Sequence, residues 1–211
     1  MAVSASPTKA FSWSTVLGDT LQVREVLTKM VLNEDGEIDD TAAQVIETET
    51  ESLLRGKYVG LYFSGEWCPP SAKFTPVLAK CYESIKSRDV PFEIVFISSD
   101  RSEKAQMNYY NSLHGPWAML PASKKKINRD VSSEHDVNSI PSLIIFDPEG
   151  NIVTKKGRGE VQNDTKGLKF PWSPGAGINR DGVRCLQGQD GAHYYCGEKV
   201  RSGSCPCGGC D

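Results

Sequence analysis

Cys68 is the residue whose surroundings in the sequence most favour chemistry. It follows an apolar, aromatic run, Tyr58–Ser64, and a short turn containing Trp67, and it precedes Pro69 and Pro70. Beyond the prolines, apolar residues recur at the spacing of one helix face: Phe74, Val77, Leu78, Cys81, Tyr82 and Ile85. We therefore expect Cys68 at an exposed strand-to-helix junction, where the unpaired N–H groups of the helix favour the reactive thiolate. The second cysteine of this segment lies on the apolar face and is expected to be an inert core residue.

The segment from residue 58 onward alternates apolar strands with helical patterns. We predict strands at 58–64, 92–98, 142–146 and 152–154, and helices at about 70–88, 102–113 and 125–131. Because a helix joins the first two strands, they should form a parallel crossover. A tight turn separates the last two strands, which should form an antiparallel hairpin. This pattern predicts a compact α/β domain.

Pro141 stands at the start of the third predicted strand, directly after Ile140. A strand start tolerates proline, although the ring removes one donor from the sheet. The alternative is a cis Ile140–Pro141 bond, which would turn the backbone and leave the polar groups of Ile140 to meet the main chain of a partner. The residues alone leave both interpretations open.

Composition excludes several classes of protein. The chain has 211 residues, 38% of them hydrophobic, and its 24 basic and 27 acidic side chains give a net charge of -3. That balance does not favour nucleic acid or an anionic membrane as a partner. The sequence has no apolar stretch of transmembrane length and no apolar core of a signal peptide. We therefore expect a cytoplasmic protein whose thiols stay reduced unless they are catalytic.

The two ends of the chain differ from its centre. Residues 1–51 are expected to form an N-terminal extension, a hairpin or helix packed on the domain. Residues 173–211 form a glycine-rich tail without apolar periodicity, which cannot build a core unaided. Its candidate metal ligands are Cys185, His193, Cys196, Cys205, Cys207 and Cys210. They could bind zinc, form a disordered thiol-rich tail, or supply an extra resolving thiol to Cys68.

Taken together, these motifs resemble the thioredoxin superfamily, and more closely its nucleoredoxin and tryparedoxin branch. The resemblance covers about residues 52–174. It is carried by Trp67-Cys-Pro-Pro70, by Asp100-Arg-Ser102, by Ile140-Pro141 and by Phe170-Pro-Trp172. It implies a thioredoxin fold over 52–172, a central mixed sheet flanked by helices, with a cis Pro141 facing Cys68.

The resemblance also implies a function. It implies thiol–disulfide exchange with protein disulfides or glutathionylated proteins, and reduction by an external thiol such as glutathione or by a thioredoxin-type system. No cofactor is implied for the core domain, and the nucleus is implied as a second location beside the cytoplasm. The expected catalytic residues are Trp67, Cys68, Pro69, Pro70 and, at the resolving position, Ser71. The expected substrate-binding residues are Ile140 and Pro141.

The sequence departs from the family pattern at two positions. Ser71 stands where the family has a second cysteine, and Tyr62 stands where thioredoxins proper carry a buried carboxylate. A serine can donate a hydrogen bond to the Cys68 thiolate, but it cannot resolve a mixed disulfide. Ser71 could be an engineered substitution that traps substrates, or the natural state of a monothiol enzyme that uses glutathione or shuffles disulfides. The third explanation is a binding module that uses the groove beside Pro141 without turnover.

Overall fold

The computed structural model describes residues 11–26 and 43–173, together with the backbone of four short strands between residues 177 and 199. The helices are α1 (Trp13–Leu17), α2 (Thr50–Leu54), α3 (Pro69–Lys86), α4 (Glu103–Leu113), α5 (Lys125–Glu134) and α6 (Gly157–Asn163). The strands are β1 (Thr20–Val26), β2 (Ala43–Glu49), β3 (Tyr58–Ser64), β4 (Phe92–Ser98), β5 (Ala118–Met119), β6 (Ser142–Phe146), β7 (Ile152–Thr154), β8 (Gly177–Ile178), β9 (Arg184–Gln187), β10 (His193–Tyr195) and β11 (Glu198–Lys199).

Seven strands form one mixed sheet in the order β2-β1-β5-β4-β3-β6-β7. β3 pairs in parallel with β4, and β6 pairs antiparallel with both β3 and β7. The parallel pair and the hairpin predicted from the sequence are therefore confirmed. The four short strands β8 to β11 pair antiparallel in a separate sheet.

β5 (Ala118–Met119) lies in a region for which the sequence predicted no strand. β5 is only two residues long, too short for a recognisable alternating pattern. It nevertheless pairs in parallel with β4 and, through the single pair Gln22–Met119, antiparallel with β1. The N-terminal hairpin formed by β1 and β2 thus extends the central sheet.

The core lies on both faces of this sheet because side chains alternate along each strand. On β3, Val59, Leu61 and Phe63 contribute to one apolar cluster, and Tyr62 contributes to the other. The first cluster includes residues of α1, α2 and α5, whereas the second includes residues of α3 and α4. Because both faces of β3 are buried, nearly every residue of this strand is apolar.

The segment after α6 packs on the same face of the sheet as α3 and α4, where Phe170 and Trp172 join the second apolar cluster. The carboxylate of Asp164 accepts hydrogen bonds from the backbone N–H groups of Leu168 and Lys169 and from the indole of Trp172. Arg88, just beyond the end of α3, donates to the carbonyl of Gly167. These bonds attach the segment to α3 and bury Trp172, which explains why a tryptophan this late in the chain belongs to the domain.

Candidate active site

Cys68 is the N-cap residue of α3, and Pro69 and Pro70 occupy its first two positions. Pro is favoured there because the N–H that it lacks would have no partner inside the helix. The backbone N–H of Cys68 donates to the carbonyl of Gly65 at 3.1 Å, which closes the turn between β3 and α3. The strand-to-helix junction predicted from the sequence is therefore present, with Cys68 at its centre.

The predicted exposure of Cys68 is wrong. Only 6% of the residue is accessible to solvent. The thiol donates to the carbonyl oxygen of Ile140 at 3.6 Å, so the loop before β6 covers the sulfur. This loop is 72 residues away in sequence, and the local pattern around Cys68 could not reveal it.

The Ile140–Pro141 peptide bond is cis, which is the second of the two interpretations that the sequence left open. Pro141 itself is buried and Ile140 is half-buried. The pairing of Phe63 with Ser142 fixes where this loop lies, since it sets the end of β3 beside the start of β6. The sheet register therefore brings Ile140 and Pro141 to the Cys68 junction.

Trp67 presents a large apolar surface beside Cys68, with 63% of the residue exposed. Its indole N–H donates to the carbonyl of Ser99 at 3.1 Å, and the N–H of Glu66 donates to the carboxylate of Asp100 at 2.8 Å. Both acceptors follow β4, the parallel neighbour of β3. The exposed ring is thus held in a defined orientation.

Ser71 is completely buried one helical turn beyond Cys68. A serine could donate a hydrogen bond to the Cys68 thiolate, but Ser71 Oγ has no hydrogen-bond partner among the described residues. Leaving a buried hydroxyl without a partner costs about 1–3 kcal/mol. A thiol is a much weaker donor and acceptor, so a cysteine would lose less at the same position. The surroundings of residue 71 therefore suit sulfur better than oxygen.

A buried chain of hydroxyl groups lies beneath Ser71, and the sequence analysis did not identify it. Thr75 Oγ1 donates to the carbonyl oxygen of Ser71 at 2.9 Å. The same hydroxyl lies 2.8 Å from Tyr62 Oη and 2.6 Å from Tyr109 Oη. Tyr109 Oη in turn lies within hydrogen-bonding distance of Ser64 Oγ, at 3.0 Å. Only the spacing of Thr75 four residues after Ser71 was visible in the sequence.

Tyr62 occupies the position beneath the site where thioredoxins proper have a carboxylate. Burial raises the pKa of its phenol well above the ordinary value of 10.0. The group therefore stays neutral and acts here as a hydrogen-bonding partner of Thr75 rather than as an ionised base.

The two prolines of the site line a groove of about 360 Å³ on its outer face. Lys73 of α3 and Arg158 and Gln162 of α6 complete its polar lining. The contribution of α6 was not predictable, because no pattern in the sequence places that helix beside α3.

The predicted metal ligands of the tail receive no structural test. The backbones of Cys185 and His193 lie in β9 and β10, but their side chains fall outside the described residues. The remaining predicted ligands, Cys196, Cys205, Cys207 and Cys210, lie outside them entirely. Within the described part of the chain, no cluster of three His, Cys, Asp or Glu residues could hold a metal ion. Zinc in the tail stays a prediction.

No helix within the described residues is both long and apolar enough to cross a membrane.

Comparison with known proteins identifies the family. A family model described as thioredoxin-like matches residues 56–152. The nucleoredoxin of Xenopus laevis is 37% identical over 145 residues, which cover 69% of this chain and 34% of that protein. The tryparedoxin of Trypanosoma brucei brucei is 40% identical over 120 residues, which cover 56% of this chain and 81% of that protein.

A solved structure supports the same assignment. The structure of tryparedoxin I from Leishmania major matches with a TM-score of 0.59 and 30% sequence identity, covering 77% of this chain and 98% of that one. The chain spans about a third of the length of the nucleoredoxin that it matches. It has a thioredoxin-like fold, and it belongs to the thioredoxin superfamily, in the branch that contains tryparedoxin and nucleoredoxin.

Proposed function

We propose that this chain carries out thiol–disulfide exchange with polypeptide disulfides through Cys68. The observation that carries the proposal is the position of Cys68 at the N-cap of α3, between the exposed ring of Trp67 and the loop of Ile140 and Pro141. A thiol at the start of a helix beside an aromatic docking surface is suited to nucleophilic attack. The oxidoreductase chemistry of the family supports the same conclusion.

In the first step, the Cys68 thiolate attacks one sulfur of the substrate disulfide. A new bond forms between the two sulfurs, the substrate S–S bond breaks, and the departing sulfur leaves as a thiolate that takes up a proton. Little of Cys68 is accessible to solvent. The loop at Ile140 must therefore move slightly, or exchange its contact with the sulfur for a contact with the substrate, before the disulfide can reach the sulfur.

In the second step, another thiol must attack the mixed disulfide to release the reduced substrate. Ser71 stands where the family has that thiol, and a hydroxyl cannot form an S–S bond. We therefore propose that the reaction stops at the mixed disulfide until an external thiol, such as glutathione, or a thioredoxin-type protein attacks it. This attack releases the reduced substrate and leaves Cys68 in a disulfide with the external thiol. A second thiol then attacks that disulfide and frees Cys68, so the two external thiols supply the two electrons and leave as a disulfide.

Turnover of insulin disulfides under excess dithiothreitol tests this proposal. Because dithiothreitol is itself an external thiol, we expect moderate acceleration by the native chain, greater acceleration by Ser71→Cys, which resolves the mixed disulfide internally, and none by the double variant Cys68→Ser/Ser71→Cys. Cys81→Ala is the matched control, because Cys81 is buried and its burial raises the pKa of the thiol to about 12, which leaves it inert. An inactive Ser71→Cys variant that still folds would contradict the proposal.

A second candidate function is partner binding without turnover in the groove beside Pro141. The 6% exposure of Cys68 favours this alternative, because a binding surface does not need an accessible sulfur. Capture of a partner peptide by Cys68→Ala as strongly as by the native chain would support binding. Loss of capture in that variant would support covalent exchange.

A further inference from the structure

A second groove, of about 600 Å³, adjoins the Trp67 turn and takes no part in the exchange chemistry described above. One wall contains Ser99 and Asp100, the two residues that hold Trp67 and Glu66 in place. A polypeptide that lies over the exposed ring of Trp67 would therefore continue directly into this groove. The volume is within the range of ligand sites, roughly 300–1,000 Å³.

The rim of the groove is cationic. Four basic side chains line it, Arg101, Lys124, Lys125 and Arg129, against the two acidic side chains of Asp100 and Glu103. This local excess of positive charge contrasts with the net charge of -3 for the whole chain. The rim is thus a distinct electrostatic feature of the surface.

Three of these cations are available to a ligand. The ammonium group of Lys124 donates to the carbonyl oxygens of Leu17 and Thr20 and is already engaged. Arg101, Lys125 and Arg129 are exposed and have no salt bridge to any of the described residues. We call the groove with these three side chains the basic groove.

The floor of the basic groove is already formed. Gln106 is buried and donates to the carbonyl oxygen of Leu120 at 2.8 Å. Asn128 donates to the carbonyl oxygen of Ser98 at 2.6 Å. Because the fold itself satisfies these polar groups, a ligand would not have to order them, and the cost of binding is reduced.

We propose that the basic groove docks an acidic segment of the substrate polypeptide next to the disulfide that Cys68 attacks. This inference rests on the proposed function and names the class of substrate. Separate carboxylates of an extended segment can each meet one of the three cations. The three charges together speed the encounter and add a modest affinity that is measurable at low salt, since exposed charge pairs contribute little individually.

Other anions fit the basic groove less well. The carboxylates of Asp100 and Glu103 stand on the same rim and repel a compact dianion such as phosphate. A nucleic acid needs many more phosphate contacts than three exposed cations provide for substantial affinity at physiological salt. An extended acidic peptide avoids both difficulties, because it can direct its charges toward Arg101, Lys125 and Arg129.

Two disulfide peptides of equal length test the proposal. Each carries one cysteine as a mixed disulfide with thionitrobenzoate, flanked by either four glutamates or four glutamines. Attack of Cys68 on the peptide sulfur releases thionitrobenzoate, whose absorbance gives the second-order rate constant. The full chain is used, and the rate of Cys68→Ser is subtracted to remove the contribution of other thiols.

We expect the acidic peptide to react about tenfold faster than the neutral one at low salt, with the preference shrinking as salt is raised. The double variant Lys125→Glu/Arg129→Glu should remove the preference and leave the rate of the neutral peptide unchanged. The double variant Lys80→Glu/Lys166→Glu is the control matched in charge, because both lysines are exposed outside both grooves, and it should keep the preference. A preference that survives the first double reversal, or that the control removes equally, would overturn the inference.

A binding measurement separates failure of this inference from failure of the proposed function. Fluorescence anisotropy with a labelled, cysteine-free glutamate peptide should show binding that the double reversal weakens at least threefold. If the glutamate peptide binds but neither disulfide peptide reacts, the proposal of exchange through Cys68 is wrong, whereas the proposal that the basic groove binds acidic peptides is supported. Absence of peptide binding, or tighter binding of a single-stranded oligonucleotide of equal length, contradicts the basic groove as an acidic-peptide site.

Discussion

The Sγ atom of Cys68 lies 3.6 Å from the carbonyl oxygen of Ile140, across 72 residues of sequence. The contact follows from the sheet, because β3 and β6 are antiparallel neighbours and Phe63 pairs with Ser142. The turn that leaves β3 and the loop that enters β6 therefore meet at the same edge. The reactive sulfur and the loop that covers it are positioned by the same two strands.

Ser71→Ala is predicted to stabilise the protein by about 1 kcal/mol, since it removes a buried hydroxyl that has no partner among the described residues. The free energy of unfolding in urea measures the effect. Ser133→Ala on α5 is the control, because Ser133 is exposed and reports only the higher helix propensity of alanine. A stabilisation no greater than that of Ser133→Ala would show that the hydroxyl of Ser71 is satisfied.

Thr75→Val is predicted to destabilise the protein by about 1–3 kcal/mol. The change keeps the shape of the side chain but removes the hydroxyl that contacts Tyr62, Tyr109 and the carbonyl of Ser71. Thr75→Ser is the matched control, because it keeps the hydroxyl and loses only a methyl group. Equal stability of Thr75→Val and the native chain would contradict the role assigned to these hydroxyls.

Gly167→Ala is predicted to destabilise the folded protein by about 2 kcal/mol or more. Gly167 has φ of +60°, and a Cβ there would lie 2.4 Å from Cγ1 of Ile85 on α3. Gly159→Ala is the control, because Gly159 lies in α6 with no atom within 4 Å of an added Cβ, so it should be neutral or stabilising. The two midpoints of thermal unfolding decide the comparison, and a Gly167→Ala midpoint at or above the native value would refute the close packing.

His114 is predicted to make the fold less stable in acid. It is buried against the rings of Phe96 and Tyr109, and its Nδ1 accepts a hydrogen bond from the indole of Trp117. Burial lowers the pKa of its imidazole to about 3, against about 6.5 in the unfolded chain. The unfolded chain therefore binds the extra proton, and the contribution of His114 is complete above pH 6.5 and is lost as pH falls toward 3.

The slope of unfolding free energy against pH between pH 6 and 4 measures this contribution, about 1.4 kcal/mol per pH unit for one proton. The native chain should show a steeper loss of stability than His114→Phe by about this amount. Burial raises the pKa of the Glu93 carboxyl, so protonation of Glu93 increases the free energy of unfolding as the pH falls. Both proteins contain Glu93, and its contribution therefore cancels when their two slopes are subtracted. His135→Asn is the comparison variant, because His135 is only half-buried although burial lowers its pKa as well. Identical slopes for the native chain and His114→Phe would contradict the prediction.

Much of the site was predictable because its signals are local. The apolar run of β3, the turn, and the helical spacing after Pro70 all lie within about thirty residues, and they located Cys68 at the start of α3. The residues left the conformation at Pro141 open, and only the family resemblance placed a cis Pro141 opposite Cys68; in the structure the proximity of the two follows from sheet order. Strands β3, β4 and β6 were predictable for the same reason, since each is a long apolar run.

The features that the sequence did not predict depend on contacts between distant segments. The burial of Cys68 requires the covering loop at Ile140, and the hydroxyl chain requires Tyr109 of α4 to approach Thr75 of α3. β5 is two residues long and exists because β4 and β1 flank it. None of these relationships leaves a periodic pattern in the chain, so only the packed structure reveals them.

Exchange through Cys68 without a resolving thiol is tested by the mass of the chain after reaction with a peptide disulfide. We expect a stable one-to-one adduct, located at Cys68 by peptide mapping, that persists without added thiol and is released by glutathione. The Ser71→Cys variant should instead release its peptide and end with a disulfide between residues 68 and 71. A folded native chain that forms no adduct at Cys68 would rule out exchange through this residue.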